Sequence, residues 1–456
     1  MRNPDSILIG LEIHVQLRTD SKLFCECSTD YQNSAPNVNI CEICSAQPGA
    51  KPMGINRKAF DAAIKIALAL GCKIANEPVI VQRKHYFYPD LPPNYQRTSK
   101  PVATHGRFEE VEIRDIHIEE DPGRFFLKDG IVDLNRAGNP LVEIVTEPTF
   151  DSPQHARKWL QSIVTTLEYL DAARQEEGTM RIDTNISAGG GARVEIKNIN
   201  SFKGVETALN FEIARQKSLV VRGQEVLRET RHFEEAQGTT ISLRKKESEE
   251  DYRYFADPDV PPVLISGSDV EKIAKSLPEL PAEKQEKFIE KYNIDPVAAK
   301  NIASEIDFAE MFEEVAKKSS PELVAAWFVG PLRKTLNYNG IRLKDSKVMA
   351  KNLVELFRLL EGGKITDRVA EYVLREMINN PDSPAEIARK LGLAEIPKDD
   401  VEKIVNDVIL GNKSAVTDYF AGKKEAFEFL VGCAMKVTKG GVEPDVIRET
   451  LKKKLR

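Results

Sequence analysis

The chain has 456 residues, of which 41% are hydrophobic and 30% are charged, a composition typical of globular proteins and unlike that of disordered or collagen-like chains. Its formal net charge of -6 argues against a uniformly positive surface for general nucleic-acid binding. No apolar stretch approaches the roughly 18 residues of a membrane-spanning helix, and the N-terminus does not resemble a signal peptide. We therefore expect several domains, a cytoplasmic location and no membrane contact.

The first half of the chain is predicted to be rich in β-structure. Residues 8–17 alternate apolar and polar side chains with the period of two that a strand with one buried face requires. The same reasoning predicts further strands at 111–119, 141–146, 180–187 and 192–199. The last two flank three consecutive glycines, which is typical of a β-hairpin. Helical periodicity predicts helices at 58–70 and 201–216.

From residue 269 onward the pattern is almost entirely helical and is divided by prolines into helices of ordinary length. We therefore predict an α+β protein with a β-rich domain over residues 1–268, an all-helical bundle over 269–406 and a small helical tail domain over 407–456. Residues 411–456 hold ten basic and six acidic side chains, so positive charge is concentrated there. A solvated helix end explains this charge as well as contact with RNA does.

Four of the six cysteines fall in the loop 25–44, in two close pairs: Cys25, Cys27, Cys41 and Cys44. Two pairs of thiolates joined by a short loop match the ligand pattern of a structural Zn²⁺ site. Four unrelated thiols, or a redox pair at the second two, are the alternatives. Zinc would hold the polar segment 31–39 in place. Cys72 and Cys433 lie in apolar helical contexts and are expected in the core.

Carboxylates and imidazoles cluster at three places in the predicted strands. Glu12 and His14 lie on the polar face of the first strand, and residues 117–121 are His-Ile-Glu-Glu-Asp. Glu143 stands inside an apolar strand, where an ionised carboxylate needs a partner. If these groups converge, oxygen ligands with one imidazole favour Mg²⁺ over a second zinc ion. An exposed strand face or a local ion pair is the simpler interpretation of each cluster alone.

Residues 83–96 combine basic, aromatic and proline residues, and Lys84, Tyr86 and Tyr88 stand at their start. These residues suit the wall of a binding site or channel, although a packed loop has the same composition. The sequence contains no P-loop, no glycine-rich dinucleotide motif after a strand and no nucleophile elbow. Any use of ATP would therefore require a different kind of nucleotide site, and its adenine pocket is not indicated by the sequence.

Several long motifs resemble those of the B-subunit family of the tRNA-dependent amidotransferases. The resemblance covers essentially the whole chain and is carried by residues 10–17, 83–96, 132–144, 195–202, 251–258 and 429–432. It implies a β-rich cradle domain for catalysis, followed by a helical bundle and a tail domain that hold the tRNA body. It also implies a heterotrimer, in which an amidase partner frees ammonia from glutamine and a small third partner clamps the amidase to this chain.

The activity implied by the resemblance is the amidation of misacylated tRNA, either Glu-tRNA(Gln) or Asp-tRNA(Asn), in an ATP-dependent carbon–nitrogen ligase reaction. ATP would activate the side-chain carboxylate as an acyl phosphate, and ammonia would then displace the phosphate. The resemblance implies that His14, Glu120 and Glu143 hold Mg²⁺, and that Glu12 lies close by. The substrate and ammonia passage is implied to involve Lys84, Tyr86, Tyr88 and Arg136, and the zinc site to be structural.

Three other interpretations are kept. An archaeal paralogue specific for Glu-tRNA(Gln) shares the segment 23–27 but carries an inserted domain, for which this chain has little room. A non-catalytic zinc-bearing RNA-binding protein would explain the cysteines and the basic tail but not the carboxylates in strands. A stand-alone ligase using free ammonia would act without partners. The sequence does not distinguish between the two misacylated tRNAs.

Overall fold

In the computed structural model, the described residues are 6–176, 178–245, 252–392, 398–438 and 442–455. Asp251 of the 251–258 motif and Lys439 and Arg456 of the basic tail lie outside them. The chain divides into two compact units, Met1–Leu280 and Pro281–Arg456.

A mixed sheet dominates the first unit. Its strands are β1 (Ile7–Gln16), β2 (Lys73–Ile74), β3 (Val81–His85), β4 (Tyr95–Ser99), β5 (Ala103–Phe108), β6 (Val111–Glu120), β9 (Pro140–Thr146), β10 (Met180–Ala188), β11 (Val194–Ile199), β12 (Glu229–Glu234), β13 (Thr239–Lys245) and β14 (Phe255–Ala256). The strand order is β13-β12-β11-β10-β1-β9-β6-β4-β3-β14, with β5 pairing β6 and β2 pairing β5. The β11–β12 pair is parallel and the other pairs are antiparallel. A short hairpin of β7 (Arg124–Phe126) and β8 (Ile131–Asp133) stands apart from this sheet.

One face of the sheet is apolar and one is polar. On β1, Ile9, Leu11, Ile13 and Val15 are fully buried, and the intervening residues point to the other side. Three helices pack with the apolar face into a single core: α1 (Arg57–Ala69), α2 (Pro153–Leu170) and α3 (Phe202–Val221). Since these helices cover the apolar face of the sheet, a binding site would have to lie on its polar face.

Each of these helices begins at a side-chain cap. Asn56, Ser152 and Ser201 accept hydrogen bonds from backbone N–H groups of the first turns of α1, α2 and α3, respectively. Proline follows the α2 cap directly, where its missing N–H costs no hydrogen bond. These caps set the helix starts close to the positions that the periodicity predicts.

The predicted strands and helices of the first unit are confirmed to within a few residues. The β10–β11 connection is the predicted hairpin, and Gly189 and Gly190 have φ of 62° and 73°. Positive φ at two consecutive turn residues is strained for residues with a side chain, which explains the glycines. Cys72 is buried in the core, as expected, whereas Cys433 is only partly buried beside the core of the tail.

The second unit is helical, so the α+β prediction is confirmed. Its α-helices are α5 (Pro281–Tyr292), α6 (Pro296–Ala303), α7 (Ile306–Ala316), α8 (Pro321–Trp327), α9 (Arg333–Asn339), α10 (Ala350–Glu361), α11 (Asp367–Met377), α12 (Pro384–Lys390), α13 (Lys398–Gly411), α14 (Lys413–Phe420), α15 (Lys424–Val437) and α16 (Pro444–Lys454). A π-helical segment, Phe328–Leu332, joins α8 to α9. No helix of the described residues is both long and apolar enough to cross a membrane.

The unit boundaries differ from the predicted domain limits. Helix α4 (Gly267–Lys275) and the segment after it belong to the first unit. Ile273 of α4, and Leu277 and Leu280 beyond it, pack against the core of the first unit. Within the second unit, α13 to α16 enclose a separate apolar cluster that runs from Val401 to Leu455. The predicted limit between residues 406 and 407 falls inside α13.

Candidate functional site

The polar face of the sheet collects charged side chains from neighbouring strands. His14 lies directly opposite Glu143 on β9 and Arg181 on β10, and Glu143 in turn lies opposite His117 on β6. Directly paired residues share a sheet face. The face therefore carries one row of imidazole, carboxylate and guanidinium groups drawn from distant parts of the chain.

His14 lies between two carboxylates. Its Nδ1 is 3.4 Å from Oε2 of Glu119, and its Nε2 is 3.9 Å from Oε1 of Glu143. Nδ1 is buried without a hydrogen bond of good geometry. Burial alone would lower the pKa of His14, but Glu119, Glu143 and Asp183 together raise it to about 9.

The two carboxylates respond to this environment in opposite ways. Burial and the nearby Glu119 raise the pKa of Glu143 to about 7. Burial also opposes ionisation of Glu119, but His14 and Lys84 hold its pKa below the ordinary range. His14 contacts the two carboxylates through different ring nitrogens, so one divalent cation could be shared by all three groups only if these side chains turned.

Glu120, which was predicted as a ligand together with His14 and Glu143, lies elsewhere. Its side chain accepts from Nη1 of Arg97 at 3.3 Å and 3.4 Å, and Arg97 also pairs with the buried Asp257. Consecutive strand residues point to opposite faces, so Glu119 and not Glu120 shares the face of His14.

A second group of acidic residues lies beside this set. One oxygen from each of Glu12, Asp183 and Glu195 falls within 4.8 Å of the others. Nζ of Lys197 lies 2.7 Å from Asp183 and 2.9 Å from Glu195, and Asn185 donates to Glu12 at 2.8 Å. Glu12 was predicted as a site residue, and the other acidic residues were missed. The period of two in the predicted strands 180–187 and 192–199 was the signal that could have found them.

Residues of β3 and the loop after it form one edge of the site. Lys84 points over the ring of Tyr252 at 5.0 Å and is partly buried near Glu119 and Glu143, which raise its pKa against the effect of burial. Tyr86 donates to Oε1 of Gln96 at 3.1 Å, and Nε2 of Gln96 donates to Glu119 at 3.2 Å. Tyr86 thereby connects to the carboxylate beside His14.

Tyr88 and Arg136 occupy different positions. Tyr88 is exposed and contacts Tyr86 edge to face, at 6.3 Å between ring centroids. Arg136 donates to the carbonyl oxygens of Pro122 and Gly123 at 2.9 Å and 2.6 Å, and its Nε is 3.5 Å from Asp121. Arg136 therefore holds the turn that follows β6.

The four predicted zinc cysteines converge, with their sulfur atoms within 4.8 Å of one another. Sγ of Cys44 is 4.0 Å from those of Cys41 and Cys27, close to the separation of about 3.8 Å between ligands of a tetrahedral zinc–thiolate centre. A hydrogen bond from Cys25 and the nearby Lys22 lower the pKa of Cys44, whereas the pKa of Cys25 is raised.

The cysteine loop contacts the β7–β8 hairpin and the residue that follows it. Asn37 donates its backbone N–H to Asp133 at 3.0 Å, and its side chain accepts from the N–H of Leu134 at 2.7 Å. The buried ammonium of Lys22 reaches Cys44 at 3.3 Å and the carbonyl oxygen of Leu134 at 3.3 Å. The cysteine cluster is thus connected to the segment that carries Arg136.

Comparison with known proteins agrees with this architecture. The family model described as the GatB/GatE catalytic domain matches residues 7–271, and the one described as the GatB domain matches residues 310–455. Curated proteins named as the B subunit of aspartyl/glutamyl-tRNA(Asn/Gln) amidotransferase align almost end to end. The protein of Methanothermobacter thermautotrophicus is 48% identical over 98% of this chain and 99% of its own length. The Methanocaldococcus jannaschii protein is 46% identical over 98% and 97%.

The Methanobrevibacter smithii protein of the same name is 45% identical over 98% of this chain and its full length. The matches therefore span both the sheet with its polar face and the helical unit. The chain belongs to the B-subunit family of the aspartyl/glutamyl-tRNA(Asn/Gln) amidotransferases.

Proposed function

We propose that the chain is the component that amidates misacylated tRNA in an ATP-dependent, glutamine-dependent amidotransferase. The side-chain carboxylate of Glu-tRNA(Gln) or Asp-tRNA(Asn) attacks the terminal phosphorus of ATP, which gives an acyl phosphate and ADP. Ammonia then attacks the acyl carbon, and inorganic phosphate leaves. The observation that carries this proposal is the placement of His14 between Glu119 and Glu143 on an open polar face.

His14, Glu119 and Glu143 would hold Mg²⁺, with Glu119 in place of Glu120, once the side chains turn so that one ring nitrogen and both carboxylates face the ion. Bound there, Mg²⁺ supplies charge neutralisation for a reaction between two anions. The raised pKa of Glu143, and the convergence of the Glu12, Asp183 and Glu195 oxygens beside it, support a cation on this face. Glu12, Asp183 and Glu195 extend the acidic row, and Lys197 limits their mutual repulsion.

The residues at the edge of the site suit the delivery of ammonia. Lys84 is held against Tyr252, and Tyr86 connects through Gln96 to Glu119. Ammonia arriving beside Tyr86 would meet hydrogen-bonding groups that lead to the carboxylate face. The exposed Tyr88 would lie on the outer side of this passage.

The cysteine cluster is proposed as a structural Zn²⁺ site. Its four sulfurs leave no ligand position for chemistry, and the loop that they close holds the β7–β8 hairpin. The zinc would act on the reaction only through the position of that hairpin.

The partners are proposed to be an amidase and a small clamping protein, which together with this chain form a heterotrimer, and misacylated tRNA is the substrate. The name shared by the relatives is that of one component of a larger amidotransferase acting on aminoacyl-tRNA. The helical unit would hold the tRNA body. Its basic residues support this, since Arg368, Arg375 and Lys436 line one cavity of about 680 Å³.

The experiment is an amidation assay of the chain reconstituted with the amidase and the small clamping protein. We expect glutamine-dependent ATP turnover and formation of Gln-tRNA(Gln), Asn-tRNA(Asn) or both when each misacylated tRNA is supplied. A complex that binds these tRNAs but never turns over ATP would contradict the proposal and favour a non-catalytic RNA-binding role. Activity of the chain alone with free ammonia would instead indicate a stand-alone ligase.

A further inference from the structure

Arg181 stands on the catalytic face without a role in the arrangement described above. It lies on β10 directly opposite His14, so its side chain belongs to the same polar face. The side chain is 28% exposed. A guanidinium in this position is unusual, because the surrounding face is dominated by carboxylates.

The guanidinium is held in one place by a buried carboxylate. Nη2 of Arg181 donates to Oδ1 of Asp121, whose side chain is fully buried. Asp121 also accepts from Nε2 of Gln16 at 2.7 Å and lies 3.5 Å from Arg136. One carboxylate is therefore shared by two guanidinium groups, so Asp121 does not belong to Arg181 alone.

Most of the donors of Arg181 remain available. Within the described part of the chain, Asp121 is its only hydrogen-bonding partner, so the other N–H groups of the guanidinium are unused. Lys197, another cation of this face, is by contrast bound between Asp183 and Glu195 at 2.7 Å and 2.9 Å. Arg181 is thus a fixed positive group with open donors beside His14.

We infer that Arg181 binds a phosphoryl group of the nucleotide on the side of His14 away from Glu143. A guanidinium presents a planar fork of N–H donors that matches two oxygens of a phosphate. An anion approaching this acidic face is repelled by Glu12, Glu143 and Asp183, and Arg181 supplies the opposite charge where the phosphate must lie. The inference rests on the proposed use of ATP.

The test measures equilibrium binding of the non-hydrolysable imido analogue of ATP, with Mg²⁺, to the reconstituted complex without tRNA. Arg181→Met should weaken binding on the order of 10- to 100-fold, because a hydrogen-bonded charge is lost. Arg181→Lys keeps the charge and the pairing with Asp121, so it should lose less. Arg18→Met is the matched control, since Arg18 is exposed and paired with one carboxylate, Asp171.

Steady-state kinetics show whether Arg181 acts on ATP or on misacylated tRNA. The KM for ATP should rise in both Arg181 variants while the KM for misacylated tRNA stays at the wild-type value. Binding of the analogue within threefold of wild type in both variants would overturn the inference and leave the proposed function intact. A raised KM for tRNA alone would overturn it too and assign Arg181 to the aminoacyl end. A wild-type complex that binds no nucleotide would contradict both proposals.

Discussion

His14 on β1 and Glu119 on β6 face each other across β9, with 3.4 Å between Nδ1 and Oε2. The strand between them contributes Glu143, so three strands supply one group each. We predict that Glu119→Gln lowers amide formation about 100-fold or more, because a charged group at the reacting centre is lost. Glu120→Gln is the matched variant and should keep activity within tenfold, since Glu120 pairs with Arg97.

Both variants are measured by amidation of misacylated tRNA at saturating Mg²⁺, with tRNA binding measured separately. tRNA binding should be unchanged. If Glu120→Gln were inactive and Glu119→Gln active, the ligand set with Glu120 that the family resemblance implies would be correct.

Gln96 is predicted to orient Glu119. Gln96→Met removes both the acceptor for Tyr86 and the donor to Glu119, so the carboxylate loses its support. We expect the Mg²⁺ concentration for half-maximal activity to rise about 10-fold. This is the lower end of the loss in metal affinity seen when a residue that hydrogen-bonds to a metal ligand is removed. Tyr86→Phe leaves the bond to Glu119 in place and should change this concentration much less. Equal effects of the two variants would contradict an orienting role for Gln96.

We predict that the cysteine cluster binds zinc. Wild-type chain should contain about one zinc per chain, and the double variant Cys41→Ser with Cys44→Ser should contain none. The loop 31–39 should then become sensitive to protease, because the metal closes it. Cys433→Ala is the control and should retain the metal, since Cys433 lies beside the core of the tail domain. Unchanged zinc in the double variant would rule out this site.

Asp257 is predicted to be a major source of stability. Its buried carboxylate accepts from Arg83 and Arg97 at 2.8 Å each, so Asp257→Asn removes the anion that the two guanidinium groups share and leaves them only their outer carboxylate partners. We expect a loss of about 3 kcal/mol in the free energy of unfolding. Asp259→Asn is the control, because Asp259 is partly exposed and its carboxylate pairs, among the described residues, with Arg83. It should cost less than about 1 kcal/mol.

The pH dependence of this effect has a definite sign. Burial opposes ionisation of Asp257, but Arg83 and Arg97 lower its pKa below the ordinary value of 3.8. A lowered pKa stabilises the folded state above the ordinary value, and this contribution is lost as the pH falls through the folded pKa. The difference in unfolding free energy between wild type and Asp257→Asn should therefore be constant near neutral pH and shrink below 3.8. A difference that grew on acidification would contradict this account.

Lys436 and Arg375 are predicted to contact tRNA phosphates. The double alanine variant should bind tRNA more weakly, and the slope of log affinity against log salt should become shallower by roughly 0.7 to 0.9 per lost contact. Lys73→Ala removes one exposed charge from the first unit and serves as the control. An unchanged slope in the double variant would place the tRNA on another surface.

The sequence predicts individual elements well and their convergence poorly. Alternation on β1 correctly places Glu12 and His14 on the polar face, and cysteine spacing correctly indicates four converging sulfurs. The ligand role of Glu120 that the resemblance implies stays a prediction, and the period of two, applied to β6, places Glu119 on the face of His14. Arg181 could not be singled out, since its neighbours Asp121 and His14 are brought to it only by strand pairing over long sequence distances.

The predicted domain limit at residue 268 shows a second reason why the sequence alone predicts the tertiary arrangement poorly. Helix α4 has the same periodicity as the helices that follow it, so the pattern assigns it to the bundle. Ile273 nevertheless packs against the core of the first unit, and Arg57 of α1 lies 3.1 Å from Asp269 of α4. Periodicity shows which side of a helix is buried but not what buries it.

The position of β1 in the sheet has a consequence for folding during synthesis. The strand nearest the N-terminus pairs with β9 and β10, so one of its edges stays open until residues 140–146 have left the ribosome and the other until residues 180–188 have. An apolar strand with two open edges is a template for pairing with another chain. We expect nascent chains ending before β9 to aggregate or bind chaperones, and those extending past β11 to be released.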